Sequence, residues 1–515
     1  MGPDSIAGDN FADLFAKEPE ETARPGFFTD NLYAASPIMF DSADDETLKF
    51  ASRFRQRYGK NPSWPAVQGY DSARLAIAAA RFAVAQAPAA DIKARRKAVC
   101  DFLASLNSPA NAIDGVTGPL WFTPGRGRVQ TVRVGRFQDK LFGSAPLQLV
   151  PVSKPERIED LVEIGDGRYA RRQQVVYTGL FLNELPRVDI AASAFTADFY
   201  FWLRFVPIER AGAIGDPADI SFPDLVRGSF DPKQPVADRA LADGSVYRLW
   251  RMRGEFKNDF DLHHYPLDRQ RLLVRLFNAK AASNRVVYVQ DRRVFQAPGD
   301  AIASAKASPE RGMGSALAGE AKAPQSPTQL SAEAAPDAFR NLTQWEPVQI
   351  EERRDNLVTL SALGDPMLVG FERKRELSGF SLVVDLKRYL LATLAKTLLP
   401  LGMMTLIMFA SLFFPTGLVK EKVTVAITGA LSGAVLLASV NSQLGTVGYT
   451  MAVEYVFYIF FALCLFCILS VLLAERFRAA HHMEIATRTD LAARALFSLT
   501  VVATAVAAGM AAARW

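Results

Sequence analysis

The sequence predicts a multidomain membrane protein: an α/β lobe at 1–150, an all-β sandwich of immunoglobulin-like type at 174–388, and an all-α bundle of four membrane spans at 389–515. A linker is expected at 151–173. Three observations predict this division. Long apolar runs are confined to the last quarter of the chain. Alternation of apolar with polar residues begins at 174, and before it amphipathic helical patterns mix with short strand patterns. A chain of 515 residues exceeds one ordinary core, and a net charge of +5 is too mild to point to nucleic acid.

In the first part, helices are expected at 44–58 and 72–87, separated by the Gly-Lys-Asn-Pro turn at 59–62. Residues 1–30 are polar and lack the apolar core of a secretory signal, so the natural N-terminus is expected to lie upstream. Cys100, Cys464 and Cys467 are the only cysteines, too few for a disulfide framework or a thiolate metal cluster. The segments VVYTGLFLNEL, FTADFYFWLRFV, SVYRLWRMRGEF and RLLVRLFN carry the alternation of the second part. Residues 297–338 are nearly all Ala, Ser, Pro, Gly and charged, and read as a disordered insertion in a sandwich loop.

Hydropathy draws four spans, at 389–414, 423–440, 446–473 and 495–513. Lys420 and Lys422 lie in the first connection and Arg476, Arg478, Arg488 and Arg494 in the third, whereas 443–450 has no Lys or Arg. The positive-inside rule puts the first and third connections in the cytoplasm and both termini outside. Within the second span, Thr424, Thr428, Leu431, Val435, Ala438 and Ser442 recur at intervals of four and three, forming one helical stripe. Small residues (Ala426, Gly429, Ala430, Gly433 and Ala434) occupy the other faces. The stripe reads either as a packed helix with incidental hydroxyls or as the wall of a pore.

The stretch NDFDLHHYPLDRQRLL at 258–273 resembles the signature loop of the pentameric ligand-gated ion channels, the Cys-loop receptor superfamily, through Tyr265-Pro266-Leu267-Asp268 and Gln270. The bracketing cysteines are replaced by Asn258 and Leu272, as in the prokaryotic branch. Twelve residues separate Arg388 from Pro400, and Glu421-Lys422-Val423-Thr424 resembles the start of the family's pore helix, with Leu431 seven residues after Thr424. The resemblance implies a homopentamer in the bacterial inner membrane, with the N-terminal domains and the C-terminus in the periplasm. Its second spans would line a pore for inorganic ions, opened by a small-molecule agonist.

Under that resemblance Leu431, Val435 and Ala438 form a hydrophobic constriction, and Thr424 and Thr428 offer oxygens to ions. Glu421 forms a carboxylate ring that favours cations. Lys422 is expected to point away from the pore, while Lys420 weighs against cation selectivity. Asp189 and Asp268 are expected to contact Arg388 beside Pro266 and to couple sandwich to membrane. His263 and His264 beside this junction raise proton modulation as an alternative to plain exposed histidines. Trp202, Phe222 and Phe371 correspond to agonist-contacting positions, although aromatics on strands are more often core than ligand cage.

A second resemblance covers the front of the chain. RFRQRYGKNPSWPAVQGYDSARLAIAAAR at 53–81, followed by DGVTGPL at 114–120 and Phe122, is similar to the second lobe of type I periplasmic binding proteins of the branched-chain amino acid class. It implies a partial solute-binding lobe with Tyr70 and Asp71 as ligand residues. The alternative is that both only start a helix, with Asp71 stabilising its N-terminus. No Ser, His and acid set, metal cluster or phosphate loop is evident, so neither an enzyme nor a cofactor is expected. A non-conducting chemosensory receptor is the competing reading.

Overall fold

The computed structural model describes residues 6–43, 45–59, 62–86, 91–128, 132–152, 161–165, 168–208, 215–291, 329–331, 336–359, 375–445 and 447–514. In the front of the chain, strands β1 (Tyr33–Ser36), β4 (Arg133–Gln138) and β5 (Leu141–Ser144) form an antiparallel sheet in the order β1-β4-β5. Strands β2 (Ile113–Gly115) and β3 (Gly118–Leu120) form a hairpin, and the longer helices are α1 (Asp45–Tyr58), α2 (Trp64–Gln86) and α3 (Ile92–Ser105). Helix α2 starts eight residues before the expected position. Pro65 falls in its first turn, where a missing N–H removes no helical bond. At α3 the Asp91 carboxylate accepts from the Ala94 N–H at 2.8 Å, a side-chain N-cap. Phe137, Phe142 and Met39 form one small core here, and Phe50, Val67 and Val116 another.

The next part is two sheets. One has the order β11-β13-β9-β8-β15, built from β8 (Arg168–Asp189), β9 (Ala194–Phe205), β11 (Leu225–Arg227), β13 (Val246–Lys257) and β15 (Val286–Gln290). Strand β12 (Ala237–Ala240) joins β13, while β6 (Leu147–Val152) and β7 (Leu161–Gly165) join β8. The other sheet has the order β10-β14-β18-β17-β16, from β10 (Ile220–Ser221), β14 (Arg269–Ala282), β16 (Gln329–Ser331), β17 (Trp345–Thr359) and β18 (Arg375–Arg388).

Residues from both sheets share one core, with Phe199, Phe201 and Trp250 on one side and Leu276, Phe380 and Leu382 on the other. Phe201 stacks on Trp250 at 5.1 Å and meets Phe222 edge-on at 5.6 Å, a geometry that aromatic quadrupoles favour. Gly179 lies opposite Trp202 in the β8/β9 register, and a Cβ there would come within 2.0 Å of the indole. The expected linker at 151–173 instead carries the end of β6, all of β7 and the start of β8. Polar residues concealed these strands in the sequence: Gln173 and Gln174 are buried but satisfied, donating to the carbonyls of Ser283 (2.5 Å) and Val206 (2.8 Å). Most of the expected insertion at 297–338 lies outside the described residues. Its described residues include a strand at Gln329–Ser331, and its final residue, Ala338, is buried in the core beside Phe339, which a disordered insertion would not be.

Four helices follow: α4 (Leu390–Ser411, containing Pro400), α5 (Val419–Leu444), α6 (Ala452–Ala479) and α7 (Met483–Arg514). Three of them, over Val419–Leu444, Ala452–Ala479 and Met483–Met510, are long and apolar enough to cross a membrane; α4 adds the apolar segment Leu398–Ser411. Of these three, helix α6 is the most buried, through Phe457, Phe460, Cys464 and Cys467. Gly433 of α5 brings its backbone against Phe460, where a Cβ would sit at 2.6 Å, so the small residue permits the close approach. Helix α7 begins twelve residues before the expected span because its first turns, MEIATRTDLAAR, are helical but too charged for hydropathy to include. There Asp490 pairs with Arg478, and Arg494 donates to the Leu412 carbonyl at 3.1 Å.

Candidate functional site

On a helix of 100° per residue, Glu421, Thr424, Thr428, Leu431, Val435, Ala438 and Ser442 fall within an arc of about 100°. All seven are exposed, Leu431 by 67% and Val435 by 65%. The buried residues of α5 are Lys422, Ala426, Gly433, Val440 and Leu444, which centre about 170° away on the same helical wheel. One face therefore packs on α6 while the opposite face is exposed among the described residues. At 1.5 Å per residue the stripe runs about 32 Å, the thickness of a bilayer's hydrocarbon layer.

Along the stripe the chemistry changes in order. Glu421 stands at the end near Arg478 and Asp490, the threonines follow, and Leu431 and Val435 form an apolar middle. The Thr424 hydroxyl donates to the Lys420 carbonyl at 2.8 Å, leaving oxygen lone pairs outward. Lys422 turns away from the stripe into the bundle, within electrostatic reach of Asp490 and Glu475. Lys420 remains exposed.

At the other end of the helices the loop at 258–268 descends from the two-sheet unit. Arg388, the last residue of β18 and almost the first of α4, is 3% exposed at its side chain and grips Asp268, 1% exposed, through two bonds: Nε to Oδ1 at 2.7 Å and Nη2 to Oδ2 at 3.0 Å. Gln270 donates a third bond to Asp268 at 2.7 Å. The guanidinium lies over the rings of Trp345 (4.2 Å) and Tyr265 (4.8 Å), so the cation is held by both anion and π faces. Pro266, joined to Tyr265 by a cis peptide bond, stands in this loop.

The loop is bonded directly to the helices. The N–H groups of Ala452 and Val453, at the start of α6, donate to the carbonyls of His263 (2.9 Å) and Tyr265 (3.2 Å). The Tyr449 hydroxyl accepts from the Leu262 N–H at 2.8 Å while its ring stacks on His263 with centroids 3.7 Å apart. His263 also contacts the Asp261 carboxylate at 2.7 Å, and two hydrogen bonds from residue 263 hold Asp261 below the usual carboxylate range. Leu262 and Tyr265 are buried in the same core as Leu401, Val453 and Phe457. Gly445, with φ of +80°, closes α5 against Ala191 of the β8/β9 loop, where a Cβ would sit 3.1 Å from the Ala191 Cα.

Several expected site residues fall elsewhere. Asp189 does not reach Arg388: it pairs with Arg187, two residues away, and accepts from the Ala192 N–H at 3.0 Å, because the local turn satisfies it. Phe222 is core, among Phe199, Phe201, Phe230 and Phe256. Trp202 is buried over Gly179, with its indole N–H toward Asp291. Both rings are buried and packed against described neighbours. Phe371 lies outside the described residues.

Tyr70 is partly exposed and packs on Phe50 at 4.8 Å. Asp71 is buried two turns inside α2 rather than at its start. Its carboxylate accepts from the Val116 and Thr117 N–H groups at 2.7 and 3.0 Å and from the Thr117 hydroxyl, tying the β2/β3 hairpin to the helix. Trp345 and Tyr449 were not expected at the junction. Trp345 faces Arg388 only through the β17/β18 register, 43 positions away in sequence. Tyr449 had a weak local signal, as a lone large aromatic in a loop without charge. Searches against family models and against curated proteins returned no match for this chain.

Proposed function

We propose that the chain is one subunit of a homopentameric, ligand-gated ion channel, with five copies of α5 lining a central, cation-selective pore. The observation that carries the reading is the exposed stripe lying opposite the packed face of a membrane-length helix. In lipid, an uncovered face with a carboxylate and hydroxyls is costly, and water together with neighbouring copies removes that cost. Leu431 and Val435 then form the narrow apolar ring that stops ions by dewetting, and Glu421 supplies the carboxylate ring that selects cations. Lys422, turned into the bundle, does not oppose it.

Gating follows the bonded route described above. An agonist-driven shift between the two sheets moves β18 and the loop at 258–268. Arg388 carries the shift into α4, and the bonds from Ala452, Val453 and Tyr449 carry it into α6 and the α5/α6 connection. The proposed setting is the bacterial inner membrane with the front domains in the periplasm, where a small solute acts as agonist. Purified protein in planar bilayers should pass unitary currents whose reversal potential follows the cation gradient. Silence across a broad panel of solutes and pH values would refute conduction and favour a receptor that signals through a partner.

A further inference from the structure

Between the two sheets lies a buried acid that the junction does not use. Glu352 points from β17 into the interior, 2% exposed, opposite Leu382 of β18. Its Oε1 accepts from the Leu180 N–H of β8 at 2.8 Å, and Gln290 Nε2 stands 3.5 Å from Oε2. On β8 this amide lies two residues beyond Thr178, which pairs with Gln290 of β15. The Glu352 carboxyl group therefore bridges the two sheets.

The surroundings do not suit a carboxylate. Among the described residues Glu352 has no cation partner. Asp291, the nearest like charge, is buried and already claimed by Arg204 through bonds of 3.2 and 2.8 Å, and Arg204 in turn lies over Tyr177. Arg354, two positions along the same face, donates to the Ser42 carbonyl at 2.8 Å. Leu382 and Leu180 are apolar. One backbone bond and a long amide contact replace little of the hydration that an ionised carboxylate loses. Desolvation, offset only in part by those two contacts and reinforced by Asp291, pushes the Glu352 acid up to about 8. A cavity of about 30 Å³, room for about one water, is lined by Asp41, Arg136, Tyr177, Arg204, Asp291 and Gln290, the last of which also contacts Glu352.

We propose that Glu352 is a proton-operated clasp between the two sheets: as the neutral acid it holds β17 against β8, and on losing its proton it leaves Leu180 and Gln290 and admits water. The clasp belongs to the two-sheet unit and acts whether or not the helices conduct. Hydrogen exchange on the full chain in detergent micelles tests it, with rates corrected for their intrinsic pH dependence. The wild type should lose protection at the Leu180 amide as pH rises through about 8, while Glu352→Gln stays protected throughout. Unchanged wild-type protection, or the same loss in the Gln variant, would overturn the proposal. Should the variant not fold, infrared difference spectra of the wild type decide: a protonated-carboxyl band that disappears over the same range supports the clasp, and its absence refutes it.

Discussion

Removing the charge of Asp268 should be among the costliest single changes at the junction. Asp268→Asn keeps the side chain's shape but leaves the Arg388 guanidinium, 3% exposed, without an anion between Trp345 and Tyr265. Breaking one partner of a buried, hydrogen-bonded pair typically costs about 3–5 kcal/mol, because the remaining charge is stranded out of water. Arg388→Gln strands the opposite charge and should cost a similar amount. The double variant strands neither, so its loss should fall short of the sum of the two singles by about 2 kcal/mol or more. The assay is a double-mutant cycle on unfolding midpoints of the purified full chain, with assembly checked by size. Additive losses, within about 0.5 kcal/mol, would show that the two residues do not act as a pair and would refute the bonded route from β18 to the helices.

Three further outcomes follow from the same structure. Leu431→Ser, which wets the apolar middle of the exposed stripe, should produce currents without agonist and leave unfolding midpoints nearly unchanged, as recorded in bilayers and by thermal melts. Gly179→Val should lower stability by about 3 kcal/mol or prevent folding, since Trp202 occupies the space of any Cβ, and a melt of the purified chain reads it. For Glu352 the folded acid titrates above the unfolded one, so its contribution to stability is complete below about pH 4.5 and is lost as pH rises through about 8. At about 1.4 kcal/mol per tenfold change in proton affinity, that gap caps the loss at about 5 kcal/mol. Glu352→Gln should flatten the fall in unfolding midpoint between about pH 4.5 and about 8.

Much of the fold was legible because its signals are local. Hydropathy located the membrane-length helices, and alternation located β9, β13 and β14. The ends were less legible: charged first turns hid the start of α7, and buried glutamines hid β8's first residues, since hydrogen bonding lets polar side chains occupy core positions. At the candidate site the stripe on α5 was readable from spacing alone, as helical periodicity needs no partner. The Asp268 and Arg388 pair was readable only through the family resemblance, because 120 positions separate them. Trp202 and Phe222 show the opposite case. Sequence gives a ring's place along a strand, but which side of the sheet it fills depends on neighbours such as Gly179 and Phe201, fixed by register.

The central claim is that the exposed face of α5 borders water within the membrane. Accessibility of introduced cysteines tests it most directly, in lipid vesicles and on a chain with exposed Cys100 replaced by serine; Cys464 and Cys467 are buried. Cysteine at Thr428, Leu431, Val435 or Ala438 should react with a charged, membrane-impermeant thiol reagent, while cysteine at Ala426, Gly433 or Val440 should not. Equal protection of the stripe and the packed face would contradict the account, since it would place Leu431 and Val435 in lipid.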